Sequence, residues 1–325
     1  MTAMLIDFHH HYLPPFLIEA FEEAGRRASL ARFPEWSRDG SLALLDLIGA
    51  EMAMMSAPTP GVHLGDNGAA ADLARRCNDF TAGLSVETAG RLSAFATLSL
   101  PDIDAACKEA ELALNMGFLG VGVLASYGDI FLGDPLLDPL MSILDERGAM
   151  MFVHPVGHLS SSALAQPAPL WMIEYPIDTT RAALNMILAG TQDRFPNIRI
   201  ILAHAGGCLP FLSVRLREMS VIDSRFAHLT PERIDRHIAG FYYDLAQASG
   251  AATFAALGVV AQPNHLLFGS DFPYCGRQAI QNMADNVSYL AGGFGRLRTN
   301  GSKLLKSASE GRAGGNVKVR GEIIA

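Results

Sequence analysis

Cysteine is scarce in this chain of 325 residues, and its few cysteines are scattered along the sequence. They show neither a C-x-x-C pair nor the spacing of metal ligands. We interpret them as reduced thiols in a cytosolic protein, since cytosolic proteins rarely carry structural disulfides. The four residues are Cys77, Cys107, Cys208 and Cys275.

Charged residues are also few, at 18% of the chain, whereas hydrophobic residues make up 50%. This balance indicates a globular, well-buried protein rather than a disordered one. The 25 basic and 33 acidic residues give a formal net charge of −8, which argues against non-specific nucleic-acid binding. The length fits one large α/β barrel or two smaller domains.

Long hydrophobic runs are missing as well. No apolar run reaches the roughly 18 residues of a membrane span, so we expect no membrane partner. The apolar stretch at the N-terminus is interrupted by Asp7 and by histidines, and we therefore expect no signal peptide. These features together predict a cytoplasmic protein.

Three consecutive histidines end that first apolar stretch, just before Pro14 and Pro15. If residues 5–9 form a strand, alternation places His9 and His11 on one side and His10 on the other. Two neighbouring imidazoles can chelate a metal such as Zn²⁺. A run of surface histidines or a tag remnant is the alternative, but a tag would be longer and would not continue an apolar strand.

Strands and helices alternate along the chain, and the strand candidates are almost continuously apolar. That pattern is typical of a parallel sheet covered by helices. Eight βα units predict an α/β fold of the (β/α)₈ TIM-barrel type, with a doubly wound open sheet as the alternative. The eight candidate strands are residues 5–9, 52–57, 92–98, 120–124, 150–154, 198–204, 241–245 and 265–271.

Two segments lie outside this alternation. We expect the barrel to occupy residues 1–297 and to carry a small insertion at about 12–40 that covers its mouth. The polar, Gly/Ser-rich residues 298–325 are interpreted as an extended C-terminal tail. A basic arm that binds a partner is the other interpretation of this tail.

Metal-competent side chains end four of the predicted strands, at the edge that carries the active site in such barrels. Each alone could be a structural histidine or a loop cap. Their convergence on one mouth favours a metal site. The residues are His9, His11, His154, His204 and Asp271.

These motifs resemble those of the amidohydrolase superfamily, and within it the decarboxylase branch around aminocarboxymuconate-semialdehyde decarboxylase. The likeness runs from about residue 4 to about residue 295. The short chain and residues 132–135 look most similar to bacterial 6-methylsalicylate-type decarboxylases. The motifs are Asp7-Phe8-His9-His10-His11, Phe152-Val153-His154-Pro155, Ala203-His204-Ala205-Gly206-Gly207 and Gly269-Ser270-Asp271-Phe272-Pro273-Tyr274.

The resemblance implies that one divalent metal, most often Zn²⁺ with Mn²⁺ as an alternative, is held by His9, His11, His154 and Asp271. His204 would be a proton-transfer residue beside the metal. The fourth predicted strand, residues 120–126, lacks the lysine or glutamate that bridges two metals in many relatives, so a mononuclear site follows.

The resemblance also suggests residues that contact substrate. Arg215 falls where this branch places an arginine that reaches the site of a neighbouring subunit, which implies a homodimer or higher homo-oligomer. The alternative is a solvated charge on a helix surface. Tyr274 and Trp171 are candidate ring-stacking walls, although either could serve only in loop packing.

The implied activity is non-oxidative decarboxylation, a carboxy-lyase reaction, of a small aromatic or unsaturated acid of salicylate or carboxymuconate-semialdehyde type. An ortho hydroxyl and a carboxylate could chelate the metal together and orient the ring. Either Asp271 or a water molecule assisted by His204 would then protonate the ring carbon.

Two alternatives to the decarboxylase remain. The same residues could serve a mononuclear hydrolase or hydratase that acts on a small cyclic or unsaturated acid. Deamination is disfavoured, because no acid follows His154 until Glu174. A non-enzymatic scaffold is the other alternative, but four ligands leave a coordination position open, which is unlike a closed structural site.

Overall fold

The computed structural model describes residues 3–25, 32–157 and 168–314. Its centre is a ring of parallel strands, as the sequence predicted, and the (β/α)₈ barrel is confirmed. A small antiparallel hairpin, formed by β6 and β7, stands outside the ring. The strands are β1 (Ile6–His11), β2 (Met52–Ser56), β3 (Leu92–Ala94), β4 (Ala96–Thr97), β5 (Gly120–Leu124), β6 (Ser126–Tyr127), β7 (Ile130–Phe131), β8 (Met150–His154), β9 (Arg199–Leu202), β10 (Tyr242–Asp244) and β11 (Leu266–Leu267).

The ring closes through two irregular junctions. One sheet has the order β1-β2-β3 and the other has the order β11-β10-β9-β8-β5-β4. Phe95 alone separates β3 from β4, so these two pieces act as one barrel strand. On the other side, Phe8 N donates to Phe268 O at 2.9 Å and His11 N donates to Phe272 O at 2.7 Å. These bonds join β1 to the β11 segment and complete eight strand positions.

Helices surround the ring. Polar side chains cap the starts of α2, α3, α4 and α10, as where Asp66 accepts a hydrogen bond from Ala69 N at 2.7 Å before α3. None of the helices in the described ranges is both long and apolar enough to cross a membrane. They are α1 (Pro15–Glu23), α2 (Arg38–Ile48), α3 (Asn67–Glu87), α4 (Ile103–Met116), α5 (Asp138–Glu146), α6 (Leu170–Leu188), α7 (Thr191–Arg194), α8 (Leu209–Arg217), α9 (Met219–Ile222), α10 (Pro231–Gly240), α11 (Ala251–Val260), α12 (Arg277–Asn286) and α13 (Gly293–Gly314).

The two larger clusters of the hydrophobic core form two layers. The larger layer lies between the strands and the surrounding helices. The smaller one fills the barrel with side chains from alternate strand positions, and in it the rings of Phe95 and Phe152 stack with centroids 5.2 Å apart. This packed interior leaves only the rim of the barrel for chemistry, as in other barrels of this type.

The C-terminal segment is helical, which corrects the prediction of an extended tail for residues 298–314. Helix α13 runs across the predicted boundary at residue 297. Its Leu304 and Ala308 are one helical turn apart and pack into the interior layer, so the helix closes one end of the barrel. Asn300 donates to two backbone carbonyls, those of Pro263 and Leu266, both at 2.9 Å. Residues 315–325 of the predicted tail lie outside the described residues.

The connection after β1 packs on aromatic rings. The centroids of the Trp36 and Phe80 rings are 5.9 Å apart, and those of Phe16 and Phe80 are 5.7 Å apart. The indole N–H of Trp36 also donates to Ser41 Oγ at 3.0 Å. Residues 26–31 of the predicted insertion lie outside the described residues.

Candidate metal centre

A β-bulge in β1 sets the directions of its three histidines. The register with β2 shifts between Asp7 and His10, so that Phe8 and His9 together face a single β2 residue. Phe8 packs into the barrel interior, and His9 points inward with it. His10 points outward and is bonded to the Asp7 carboxylate at 3.0 Å. His11 points inward again, towards His9.

Four candidate ligands converge at the rim of the barrel. One ligand atom from each of His9, His11, His154 and Asp271 lies within 4.8 Å of the other three, and all four residues are buried. The Nε2 atoms of His9 and His11 are 3.2 Å apart. Asp271 Oδ1 lies 3.4 Å from the first of these atoms and 3.3 Å from the second.

The partners of the other ring nitrogens show that this cluster fits a divalent cation. His11 Nδ1 is 3.2 Å from the carbonyl of Ser56, and His154 Nδ1 is 2.7 Å from the carbonyl of Pro155. A carbonyl oxygen can only accept, so each Nδ1 carries the hydrogen and each Nε2 keeps a lone pair. His9 Nδ1 is held in the same way by the Asp244 carboxylate, at 2.9 Å. Proteins usually orient metal-binding imidazoles by such bonds.

The pKa values of the cluster residues also favour the binding of a cation. Burial alone would lower the pKa of His9, but the Asp244 and Asp271 carboxylates outweigh it and raise that pKa to about 10. Burial lowers the pKa of His11, and burial together with the three other imidazoles lowers the pKa of His154. Two buried imidazoles that resist protonation, beside a carboxylate, are a donor set suited to a cation.

Asp271 also contacts the residue predicted to transfer protons. Burial alone would raise the pKa of Asp271, but His9, His11 and His204 together hold it well below 3.8. His204 Nε2 lies 3.6 Å from Asp271 Oδ2, and His204 Nδ1 is buried without a hydrogen-bond partner in the described part of the chain. Both residues have positive φ, at 54° and 56°, a strained backbone that is typical of functional positions.

A cavity of about 810 Å³ opens over the cluster and is lined by His11, His154, His204 and Asp271. Trp171 and Tyr274 are also in its wall, so both predicted ring-stacking residues line the same cavity as the candidate ligands.

The Tyr274 ring is nearly perpendicular to the His11 ring, with centroids 5.4 Å apart. Its hydroxyl is buried and has no partner among the described residues. Burial first, and then the nearby Asp271 carboxylate, raise the pKa of this phenol. The hydroxyl therefore stays protonated and can donate a hydrogen bond to a bound molecule.

The amidohydrolase family profile matches residues 6–290 of this chain. The chain belongs to the amidohydrolase family. Decarboxylase yanB of Aspergillus niger is 36% identical over 284 residues, which are 83% of this chain and 77% of that protein. The 6-methylsalicylic acid decarboxylase of Penicillium expansum is 34% identical over 281 residues, 85% of this chain and 86% of that protein.

Solved structures agree with the family assignment. A crystal structure described as amidohydrolase II superposes with a TM-score of 0.84 at 26% identity, over 93% of this chain and 99% of that one. The names of the relatives confirm the predicted resemblance to the decarboxylase branch of the family. The 6-methylsalicylate-type relative described above is fungal.

Arg215 lies away from the cluster of this amidohydrolase. It is exposed on α8 and is not among the residues that line the cavity. Phe211 and Val214 on the same helix are 68% and 65% exposed. A single chain therefore leaves Arg215 beside an exposed apolar surface, and its predicted role in a neighbouring subunit stays a prediction.

Two contributors to the site escaped the sequence analysis. Asp244 ends β10 at the same rim as the candidate ligands, and its position at a strand end is a sequence signal that could have revealed it. Gln247 donates from its Nε2 to Asp271 Oδ2. It lies in a loop with a positive φ of 51°, where no periodic pattern marks it.

Proposed function

We propose that this protein is a metal-dependent, non-oxidative decarboxylase of a small aromatic carboxylic acid of the salicylate type. The observation that carries the proposal is the set of three imidazoles with fixed Nδ1 atoms, joined by Asp271. Of these four residues, His11, His154 and Asp271 line a cavity with aromatic walls. The names of the related decarboxylases support the same chemistry. The sequence predicts substrates of either salicylate or carboxymuconate-semialdehyde type, and we propose the salicylate type.

His9, His11, His154 and Asp271 would hold one divalent metal. Three imidazoles and one carboxylate accept both Zn²⁺ and Mn²⁺, and we propose Zn²⁺ because of the predominance of imidazole. When bound, the cation would supply a Lewis acid that binds and orients the ortho hydroxyl and the carboxylate of the substrate. Within the described ranges, these four residues form the group that can hold such an ion.

Asp271 and His204 would move the proton. The low pKa of Asp271 means that this carboxylate is ionised in the resting site, so it needs a proton before it can act as an acid. His204 Nε2, 3.6 Å away, is in position to supply that proton or to hold a water molecule that does. The proton adds to the ring carbon that bears the carboxylate, the C–C bond then breaks, and CO₂ leaves while the ring regains its aromatic electrons.

Trp171 and Tyr274 would bind the ring. Both line the cavity, and aromatic walls suit a planar substrate because offset and edge-on contacts between rings are favourable. The hydroxyl of Tyr274, which has no partner among the residues that the structure describes, adds a donor for an oxygen of the substrate. An acceptor placed there would remove the cost of a buried, unsatisfied polar group, about 1–3 kcal/mol.

Arg215 would complete the site of a second subunit. Its exposure beside the apolar side chains of Phe211 and Val214 supports an oligomer that buries this face of α8. An arginine in that position could bind the carboxylate of the substrate through two parallel hydrogen bonds. A cytoplasmic location also stays a proposal, supported by the four free thiols.

The experiment combines metal analysis of the purified protein with a screen for CO₂ release. The panel holds substituted salicylates and muconate semialdehydes, with para-hydroxybenzoates as controls that lack the ortho hydroxyl. We expect CO₂ release from ortho-hydroxybenzoates and none from the para isomers. Uptake of ¹⁸O from labelled water into an organic product would contradict the lyase and indicate a hydrolase or hydratase.

A further inference from the structure

One peptide group, between Pro155 and Val156, links His154 to a carboxylate on helix α6. Its carbonyl accepts a hydrogen bond from His154 Nδ1 at 2.7 Å. Its N–H donates to Oδ2 of Asp178 at 3.0 Å. The three groups therefore form a chain from carboxylate to peptide to imidazole.

Asp178 is built into the protein interior. Its side chain has no solvent exposure, and its second oxygen, Oδ1, accepts from Ser126 Oγ at 3.2 Å. Two neutral donors thus fix both oxygens of this carboxylate. A buried carboxylate is costly to maintain, so its contact with the segment that follows His154 calls for an explanation.

The contact between Asp244 and His9 can be compared with the environment of His154. His9 Nδ1 bonds directly to the carboxylate of Asp244, at 2.9 Å. A carboxylate in this position orients the imidazole and raises the basicity of its other nitrogen. A carboxylate cannot bond directly to Nδ1 of His154, because the carbonyl of Pro155 already occupies that position. A carboxylate on the far side of the peptide can have the same effect, since hydrogen bonds in series polarise one another.

Helix α6 is suited to this role because it also supports the neighbouring strand end. Thr180 Oγ1 accepts a hydrogen bond from Cys208 N at 2.8 Å, in the segment that follows His204. A Cβ on Gly207 would lie 2.0 Å from the carbonyl oxygen of Pro176, so this segment fits closely against the helix. One helix thus holds the segments behind two histidines of the site.

We propose that Asp178 is a positioning residue for the metal, which holds the Pro155–Val156 peptide in place and acts through it to orient His154 and increase its basicity. The inference rests on the proposed function only in taking His154 as a metal ligand. It gives the site two carboxylate-supported imidazoles, one supported directly and one through a peptide.

The test measures metal affinity by competition with a chromogenic chelator, for wild type, Asp178→Asn and Asp178→Ala. The asparagine keeps the shape and an acceptor oxygen but removes the charge. Changes in such outer partners typically weaken metal binding by about 10–100-fold. We expect Asp178→Asn at the lower end of this range and Asp178→Ala at the upper end.

The matched control is Glu109→Gln, on helix α4. Glu109 is another buried carboxylate, and it accepts from Arg75 and Asn78 at 2.6 and 2.5 Å. This variant should lower the melting temperature and leave metal affinity unchanged. Wild-type metal affinity in Asp178→Asn would overturn the proposal, because that variant preserves the shape of the side chain and hence the fold.

A double-mutant cycle separates the proposed relay from a general loosening of the site. In a His154→Ala background, Asp178→Asn should no longer change metal affinity, because the imidazole that it acts on is gone. An undiminished effect in that background would also overturn the proposal. The assay needs no turnover, so a wild type that binds metal but releases no CO₂ would refute the decarboxylase and still test Asp178.

Discussion

His9 Nδ1 lies 2.9 Å from Asp244 Oδ2, and neither side chain is exposed to solvent. The other oxygen of the same carboxylate accepts from the backbone N–H groups of His204, at 3.2 Å, and Ala246, at 2.9 Å. Asp244 thus holds a proposed metal ligand and the backbone of the proposed proton-transfer residue in one network. The geometry makes Asp244 the residue on which both parts of the site depend.

Replacement of Asp244 by asparagine should weaken metal binding by about 10–100-fold, because a neutral amide supports the His9 imidazole less well than a carboxylate does. Chelator competition measures the change. Asp193→Asn is the matched control, since Asp193 on α7 also lies 2.9 Å from a histidine nitrogen, that of His237. Equal metal affinities in the two variants would contradict the role of Asp244.

The stabilisation that metal gives should grow with pH. In the metal-free protein, burial opposes protonation of His9, but Asp244 and Asp271 outweigh it and raise its pKa from 6.5 to about 10. A raised pKa in the folded state stabilises the protein fully below the unfolded value, and this contribution is lost as the pH rises towards about 10. The metal-loaded form needs His9 without the proton and does not suffer that loss.

The measurement compares melting temperatures with and without Zn²⁺ at pH 6.5, 7.5 and 8.5. We expect the difference between the two forms to increase at each step, and to increase less in His9→Ala. A difference that stays constant or shrinks over this range would show that protonation of His9 does not stabilise the metal-free protein.

The strand order and most of the rim could be predicted from local patterns, because buried parallel strands appear in the sequence as apolar runs and the candidate ligands stand at their ends. The alternation of side chains along a strand correctly predicted that His9 and His10 point in opposite directions. It could not show how His9 faces inward together with Phe8, since that requires a bulge, and a bulge depends on pairing with another strand.

The C-terminal helix also could not be predicted, because it depends on contacts with distant parts of the chain. Its sequence is rich in glycine and serine, which are poor helix formers, so local propensity favours an extended chain. Packing of Leu304 and Ala308 against the barrel interior overrides that preference, and this contact exists only once the strands have closed.

Leu304→Ala should therefore destabilise the whole barrel by about 2–5 kcal/mol, the usual cost of removing a buried leucine side chain. Leu304 is 2% exposed, whereas its neighbour Lys303 is exposed and serves as the control for the same helix. Urea denaturation measures the free energy of unfolding. If the two alanine variants unfold at the same urea concentration, α13 does not contribute to the core.

Asp271→Asn should abolish turnover and largely preserve the fold. The amide can neither ionise to hold a cation nor deliver a proton, and general acid catalysis alone typically contributes about 10²–10⁴-fold. CO₂ release and circular dichroism measure the two effects, with the exposed Asp285→Asn on α12 as control. Retained activity would remove Asp271 from both of its proposed roles.

Arg215 should act in a neighbouring subunit, which can be tested by mixing two inactive variants. Arg215→Ala subunits keep a complete set of metal and proton-transfer residues but lack the arginine. His204→Ala subunits keep the arginine but lack the proton-transfer histidine. If Arg215 completes the site across an interface, mixed oligomers contain some sites with both residues, and part of the decarboxylase activity returns.

Arg217→Ala, at an exposed arginine on the same helix, is the matched control. Arg217 lies 3.5 Å from Asp235 of α10 within its own chain, so its removal should leave the activity of unmixed protein intact. The recovery should rise with the mixing ratio up to equal amounts of the two variants and then fall, because sites with both residues are most numerous there. The absence of recovery at every ratio would mean that Arg215 serves its own chain or only the surface.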